Sequence, residues 1–116
     1  MIKTTKSQYD EFKKEFMRWV NRFGLHDWKV FFYHEKLDGC FARIVYDNMN
    51  SAASVKFNSE VDETDENFMN PKMSAKHEVI HLLLARLNYL AGARYICQED
   101  IETEEERIVN ILTKVI

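Results

Sequence analysis

Residues 70–90 read NPKMSAKHEVIHLLLARLNYL. Asn70 can accept hydrogen bonds from the free N–H groups of a helix start, and Pro71 suits the first helical position, where no N–H is needed. From Met73 to Leu90 apolar side chains continue almost all round the helical circumference, the pattern of an element buried at the centre of a fold rather than laid on its surface. Ala91-Gly92 ends it. Inside this stretch stand His77-Glu78-Val79-Ile80-His81, which set two imidazoles four residues apart, one above the other on one helical face.

Upstream, Ser7 with Asp10 reads as a capping box. Tyr9, Phe12, Phe16, Trp19, Val20 and Phe23 then recur at steps of three and four until Gly24, which predicts an amphipathic helix with a glycine stop. Trp28 to His34 is rich in β-branched and aromatic residues and leads through Leu37-Asp38-Gly39 into Cys40 to Asp47, the signature of a β-hairpin. After a polar turn at Asp47 to Asn50, Ala53, Val55 and Phe57 alternate with Ser54, Lys56 and Asn58 as a half-exposed third strand. Glu60 to Asn67 carry five acids and read as a solvated loop. Beyond Gly92 an irregular stretch precedes a last helix from about Glu102, with Ile108, Val109, Ile111, Leu112, Val115 and Ile116 on its apolar side. The expectation is an α+β fold: helix, three-stranded antiparallel meander, central helix and C-terminal helix.

Length and composition bound the function. With 116 residues and 13.8 kDa there is room for one core, so residues 1–116 form a single domain and one site carries the function. Sixteen Lys and Arg against nineteen Asp and Glu leave a charge of -3, with no basic run to neutralise a row of phosphates, so nucleic acid is not the expected partner. The longest apolar stretch, Leu82 to Ala85, is far short of the roughly 20 residues a membrane helix needs, and the start lacks an apolar signal core. Cys40 and Cys97 form no CxxC; a reducing cytosol and no disulfide framework are expected.

The His77–His81 spacing chelates zinc, and Glu78, turned about 100° from His77, can reach a water at that metal without ligating it, as a general base does. With four histidines and twelve glutamates, chance would give this pattern about once in a hundred such chains. Two ordinary core histidines are the competing explanation. In a buried apolar helix, however, each would need a polar partner, because burying it unpaired costs several kcal/mol. Zinc needs a third protein ligand, and no histidine follows His81, so a downstream carboxylate is expected. On the helical wheel Glu105 lies in register with Ile101, Ile108, Val109 and Leu112 and points inward. Glu106 is the runner-up, with Asn110 one turn on as a partner for a ligand histidine. Trp19, Trp28 and the phenylalanines read as core, and Cys97 as a buried thiol.

The segments HEVIHLLL, His77 to Leu84, and EEERIVNIL, Glu104 to Leu112, resemble the minimal gluzincin-type zinc metallopeptidases, among them small metallopeptidases encoded by phages and prophages. That resemblance implies a zincin-like domain with His77 and His81 as zinc ligands, Glu78 as base and Glu105 or Glu106 as third ligand. The expected function is a small cytoplasmic zinc peptidase whose polypeptide substrate lies along the strand Ser51 to Asn58 as an added strand. The alternative is a zinc-stabilised, catalytically silent protein-interaction module.

Overall fold

Phe12, Phe16, Val20 and Phe23 recur at steps of four, four and three, and all four are buried. They form the inner face of helix α1, Lys6–Phe23, in the computed structural model, which describes all 116 residues. The helix is started by Thr5, not by Ser7. The Thr5 hydroxyl accepts from the Gln8 N–H at 3.1 Å and the Gln8 side chain accepts from the Thr5 N–H at 2.8 Å. Asp10, the expected partner of Ser7, pairs instead with Lys13. Gly24 ends the helix in the left-handed region, φ 67°, where a residue without Cβ is at ease.

Five short strands follow the chain order β1 (Ile2–Lys3), β2 (Lys29–Glu35), β3 (Ala42–Asp47), β4 (Ala52–Asn58) and β5 (Glu60–Val61). β1 and β5 make a two-stranded antiparallel ladder, so the acidic segment begins as paired backbone and Val61 is buried. The main sheet has the order β2-β4-β3, with β4 parallel to β2 and antiparallel to β3. The expected meander is therefore corrected: β2 and β3 do not form a hairpin, and β4 lies between them. Alternation tells which residues share a face, and here it does so correctly, with Ala53, Val55 and Phe57 all buried. It does not tell which strand is whose neighbour. The chain between Glu35 and Ala42 crosses two strand spacings, about 10 Å, which six residues span without difficulty. The true hairpin is β3–β4, tightened by Asp47, whose carboxylate accepts from the Met49 and Asn50 N–H groups.

Three helices complete the fold: α2 (Pro71–Leu83), α3 (Ala85–Gly92) and α4 (Gln98–Val115), with a 3-10 turn at Glu66–Phe68 ahead of them. Asn70 caps α2 as expected, accepting from the Met73 N–H at 3.2 Å. The single helix expected from Met73 to Leu90 is broken at Leu84, where φ is -90° and ψ -1°. An apolar stretch without one dominant face can bury different sides along its length: α2 packs on α1 and β3, α3 on α4. The last helix starts at Gln98 rather than Glu102. The Asp100 carboxylate accepts from the Cys97 N–H and Sγ at its first turn, and Cys97 is exposed, not buried.

The core is one cluster between the inner sheet face and α1 and α2. Phe12 meets Phe57 at 4.9 Å between ring centroids and Phe16 meets Phe32 edge-on at 5.4 Å, geometries in which ring edges face π clouds or rings are offset. Burying each such ring contributes about 1.5–3 kcal/mol. No helix is long and apolar enough to cross a membrane.

Candidate metal centre

Helix α2 turns one face to the core through Ala75, Glu78, Val79, Leu82 and Leu83. The opposite side carries Met73, His77, Ile80, His81 and Leu84 in the open. Both histidines are thus exposed, which corrects the expectation that they sit in an apolar interior. They escape the cost of burial, and that cost gives no reason for a metal. The remaining reason is geometric. The two Nε2 atoms lie 3.2 Å apart and the rings stand at 71°. Two nitrogens bound to one tetrahedral zinc at 2.0–2.1 Å would be separated by about 3.3 Å. The donor pair therefore fits zinc in both element and spacing.

Glu78 is the charged group of α2 that is buried, with 8% of its surface exposed. It faces β3, where the Ile44 N–H and the Arg43 guanidinium are its neighbours, with His77 beside it on the helix. Burial dominates and pushes its carboxyl above the usual range, while His77, the Ile44 N–H and Arg43 pull the other way. A carboxylate held ready to take a proton, one residue from the first imidazole and backed by an edge strand, is the arrangement a general base requires.

The third ligand is not gathered. No group of three His, Cys, Asp or Glu side chains comes together in a way that could hold a metal. On α4 it is Glu104 that points inward, 9% exposed, whereas Glu105 and Glu106 are exposed, as is Asn110. The inward face runs Ile101, Glu104, Ile108, Ile111, Val115. Val109 and Ile116, counted on the apolar side from the sequence, are 46% and 97% exposed, and counting them inside turns the mean direction of that side toward Glu105. Glu104 accepts from Arg107 Nε at 2.8 Å, and the same guanidinium reaches the Leu83 carbonyl at 3.5 Å. This places a cation at the C-terminal end of α2, where free carbonyls favour it. Only the spacing of Glu104 and Arg107, three residues apart on a helix, hinted at this pair.

His77 and Glu78 line a cleft of about 1000 Å3, bounded also by the Leu37 to Ala42 connection and by the segment from Glu60 to Phe68. None of His34, Tyr89 and Tyr95, polar side chains that could steady a charged intermediate, lines it. His34 is stacked on Tyr9 at 4.7 Å, Tyr95 is 90% exposed, and Tyr89 is exposed on α3. Sequence reading also missed Asn58, which is buried at the end of β4 and shapes the cleft. Its amide accepts from the Leu37 and Glu60 N–H groups at 3.0 and 3.1 Å and donates to the Leu37 and Cys40 carbonyls at 2.9 and 2.8 Å. An asparagine ending a strand ahead of a charged segment carries too little pattern to betray this.

The strand Ser51 to Asn58 cannot accept an added peptide, which corrects the expected docking line. β4 is bonded to β2 on one side and to β3 on the other, so it has no free ladder groups. The free edge nearest Glu78 is that of β3. No protein-family model, no curated protein and no solved structure matches this chain.

Proposed function

We propose that this chain is a small zinc metallopeptidase in which His77 and His81 hold the metal and Glu78 moves protons. The observation that carries the reading is the Nε2 pair 3.2 Å apart, with a buried carboxylate beside it that lines a cleft together with His77. Zinc, when bound, supplies Lewis acidity toward a water and a peptide carbonyl. The Glu78 carboxylate takes a proton from the attacking water as its oxygen bonds to the carbonyl carbon. It then delivers that proton to the amide nitrogen as the C–N bond breaks, so Glu78 ends each cycle ionised. β3, with no strand on its outer side, offers the N–H and C=O groups not turned to Glu78 to an extended substrate backbone and so fixes the scissile bond near Glu78.

The absence of a gathered third carboxylate favours one other reading, a zinc-stabilised interaction module without turnover. One set of measurements separates the two. Zinc-replete protein is assayed for metal content and for cleavage of an unfolded protein mixture, alongside Glu78→Gln and His81→Ala. The peptidase reading expects one zinc per chain, cleavage by the unaltered protein, zinc without cleavage in Glu78→Gln, and loss of both in His81→Ala. Zinc binding without cleavage by the unaltered protein selects the module. Protein without zinc overturns both.

A further inference from the structure

The main sheet has a second free edge, that of β2, on the side away from β3. At the two ends of the β2–β4 ladder the Lys29 N–H donates to the Ser51 carbonyl and the Glu35 carbonyl accepts from the Ser59 N–H. The odd-numbered residues of β2 therefore turn their backbone groups to β4, and Val30, Phe32 and His34 turn theirs outward. Those N–H and C=O groups have no hydrogen-bond partner in the chain. Edges of this kind are commonly blunted by a proline, a bulge or a charge in mid-strand. β2 has none of these: Lys29 to Glu35 pair with β4 in unbroken register, and the ammonium and carboxylate of the strand stand at its two ends. On the face away from the helices Phe31 and Tyr33 are 50% and 44% exposed.

Set antiparallel against itself about Phe32, this strand is self-complementary. Val30 stands opposite the partner's His34 and Phe32 opposite the partner's Phe32, so every outward N–H and C=O of both copies is paired. On the outer face Lys29 falls opposite the partner's Glu35 and Phe31 opposite the partner's Tyr33, each twice by symmetry, at positions where opposed side chains come closest. A slip of two residues leaves outward groups unpaired and sets Glu35 against the partner's Asp27 or the partner's Phe31. A slip of one residue sets outward groups against inward ones. The other charges near this edge are already matched. Lys13, over the Tyr9 ring that stacks on His34, holds Asp10 at 3.4 Å, and Glu35 holds Lys56 at 3.1 Å on the side toward β4.

We propose that the free edge of β2 is a homodimer interface, at which two copies of this chain join antiparallel into one sheet of order β3-β4-β2-β2-β4-β3. The arrangement is two-fold and closed, so it stops at two copies. The β3 edges lie at the far ends of that sheet, which leaves both clefts open, and the assembly depends neither on zinc nor on peptide cleavage.

The test follows the full-length protein by sedimentation equilibrium across the micromolar range, with and without zinc, and by amide hydrogen exchange. The mass should rise to twice the chain's 13.8 kDa in both conditions. Exchange at Val30, Phe32 and His34 should slow as concentration rises, while amides on the β3 edge keep their rates. Lys29→Glu and Glu35→Lys, both at exposed positions, should each weaken association about tenfold by setting like charges opposite one another. Mixing the two variants should restore it in a heterodimer, which a misfolded variant could not do. Protein that stays monomeric overturns the proposal. So does a dimer that ignores both charge reversals or leaves the β2 amides unprotected, since its contact lies elsewhere. A dimer formed only with zinc overturns it too, because the exposed imidazole pair then joins the chains. A synthetic peptide of residues 29–35 that protects the same amides while the chain stays monomeric assigns the edge to a peptide partner and rejects the dimer.

Discussion

Replacing Asn58 by alanine should cost about 3–4 kcal/mol, although Asn58 belongs to no motif. All four hydrogen-bonding valences of its amide are used, two N–H donors to carbonyls and one oxygen to two backbone N–H groups, at 2.8 to 3.1 Å. The residue is 5% exposed, and its two bonds to Leu37 are buried. Alanine strands the Leu37 N–H and C=O away from water at about 1–3 kcal/mol each. It strands the partly buried Cys40 carbonyl and Glu60 N–H at less, where solvent can enter. Against a total stability of about 5–15 kcal/mol for a domain of this size, the loss is large and easily measured by urea unfolding followed through Trp19 and Trp28 fluorescence. Amides at 37–40 should also exchange faster, because the clamp on that wall of the cleft is gone. Asn58→Asp sharpens the test. It keeps the acceptors, loses both donors and sets a carboxylate against two carbonyl oxygens, so its folded pKa must rise above the unfolded value of about 3.9. A raised folded pKa means stability present below the unfolded pKa and lost as pH climbs through the folded one. The variant should therefore lie closer to the unaltered protein at pH 4 than at pH 7. A cost below 1 kcal/mol for Asn58→Ala, or no penalty for Asn58→Asp at pH 7, would refute this account of the loop.

Further outcomes follow from the same geometry. Glu104→Ala should lower stability by about 1–3 kcal/mol because it frees Arg107 beside the end of α2, whereas Glu105→Ala should stay within about 0.5 kcal/mol; the reverse order in urea unfolding would return the helix face to Glu105. Zinc titration of the Glu104, Glu105 and Glu106 alanine variants assigns the third ligand as the one whose loss weakens affinity by orders of magnitude. Micromolar zinc should raise the melting temperature of the unaltered protein and leave that of His77→Ala unmoved, since a ligand bound only to the native state stabilises it; equal shifts would remove the imidazole pair from the site. Burial, aided by Lys13, lowers the pKa of His34. The Thr4 hydroxyl donates to the Asn58 carbonyl and its oxygen lies 2.6 Å from His34 Nε2, which suits a neutral ring donating from Nε2. A depressed folded pKa makes this contribution complete above about pH 6.5 and lost as pH falls through the folded value. The stability difference between the unaltered protein and His34→Gln should accordingly shrink on acidification, and a difference independent of pH would contradict it.

What could be read from the sequence divides along a physical line. The glycine stop after Phe23, the Asn70-Pro71 helix start and the inward set Ala53, Val55, Phe57 depend on a residue and its near neighbours, and they stand in the structure. Strand order depends on which ladder the chain chooses when it folds back, and alternation is blind to that choice. The chain does bend at Asp38-Gly39, with Gly39 at φ 76°, yet it runs on across the sheet instead of back along β2. The cap at Thr5 was missed for a related reason: Ser7–Asp10 and Thr5–Gln8 both satisfy a three-residue spacing, and only the extended backbone at Thr5, φ -92° and ψ 159°, separates them.

The candidate site shows the same division at finer grain. His77 and His81 converge because four residues are about one helical turn, a relation internal to α2 that needs no partner. Their exposure was not legible, because Leu82, Leu83 and Leu84 made the whole stretch look buried, whereas Leu82 and Leu83 face the core and Leu84 is 38% exposed. The third ligand required a relation between two helices, and there two misjudged residues were enough. With Val109 and Ile116 counted inside, the mean direction of the apolar side lies nearer Glu105; with both outside, where they are 46% and 97% exposed, it lies nearer Glu104. The residue on that inner face is already engaged with Arg107 and through it with the Leu83 carbonyl. A zinc ligand on this helix would therefore have to break that ion pair or come from the outer face, and the titration of the three glutamate variants decides between those two routes.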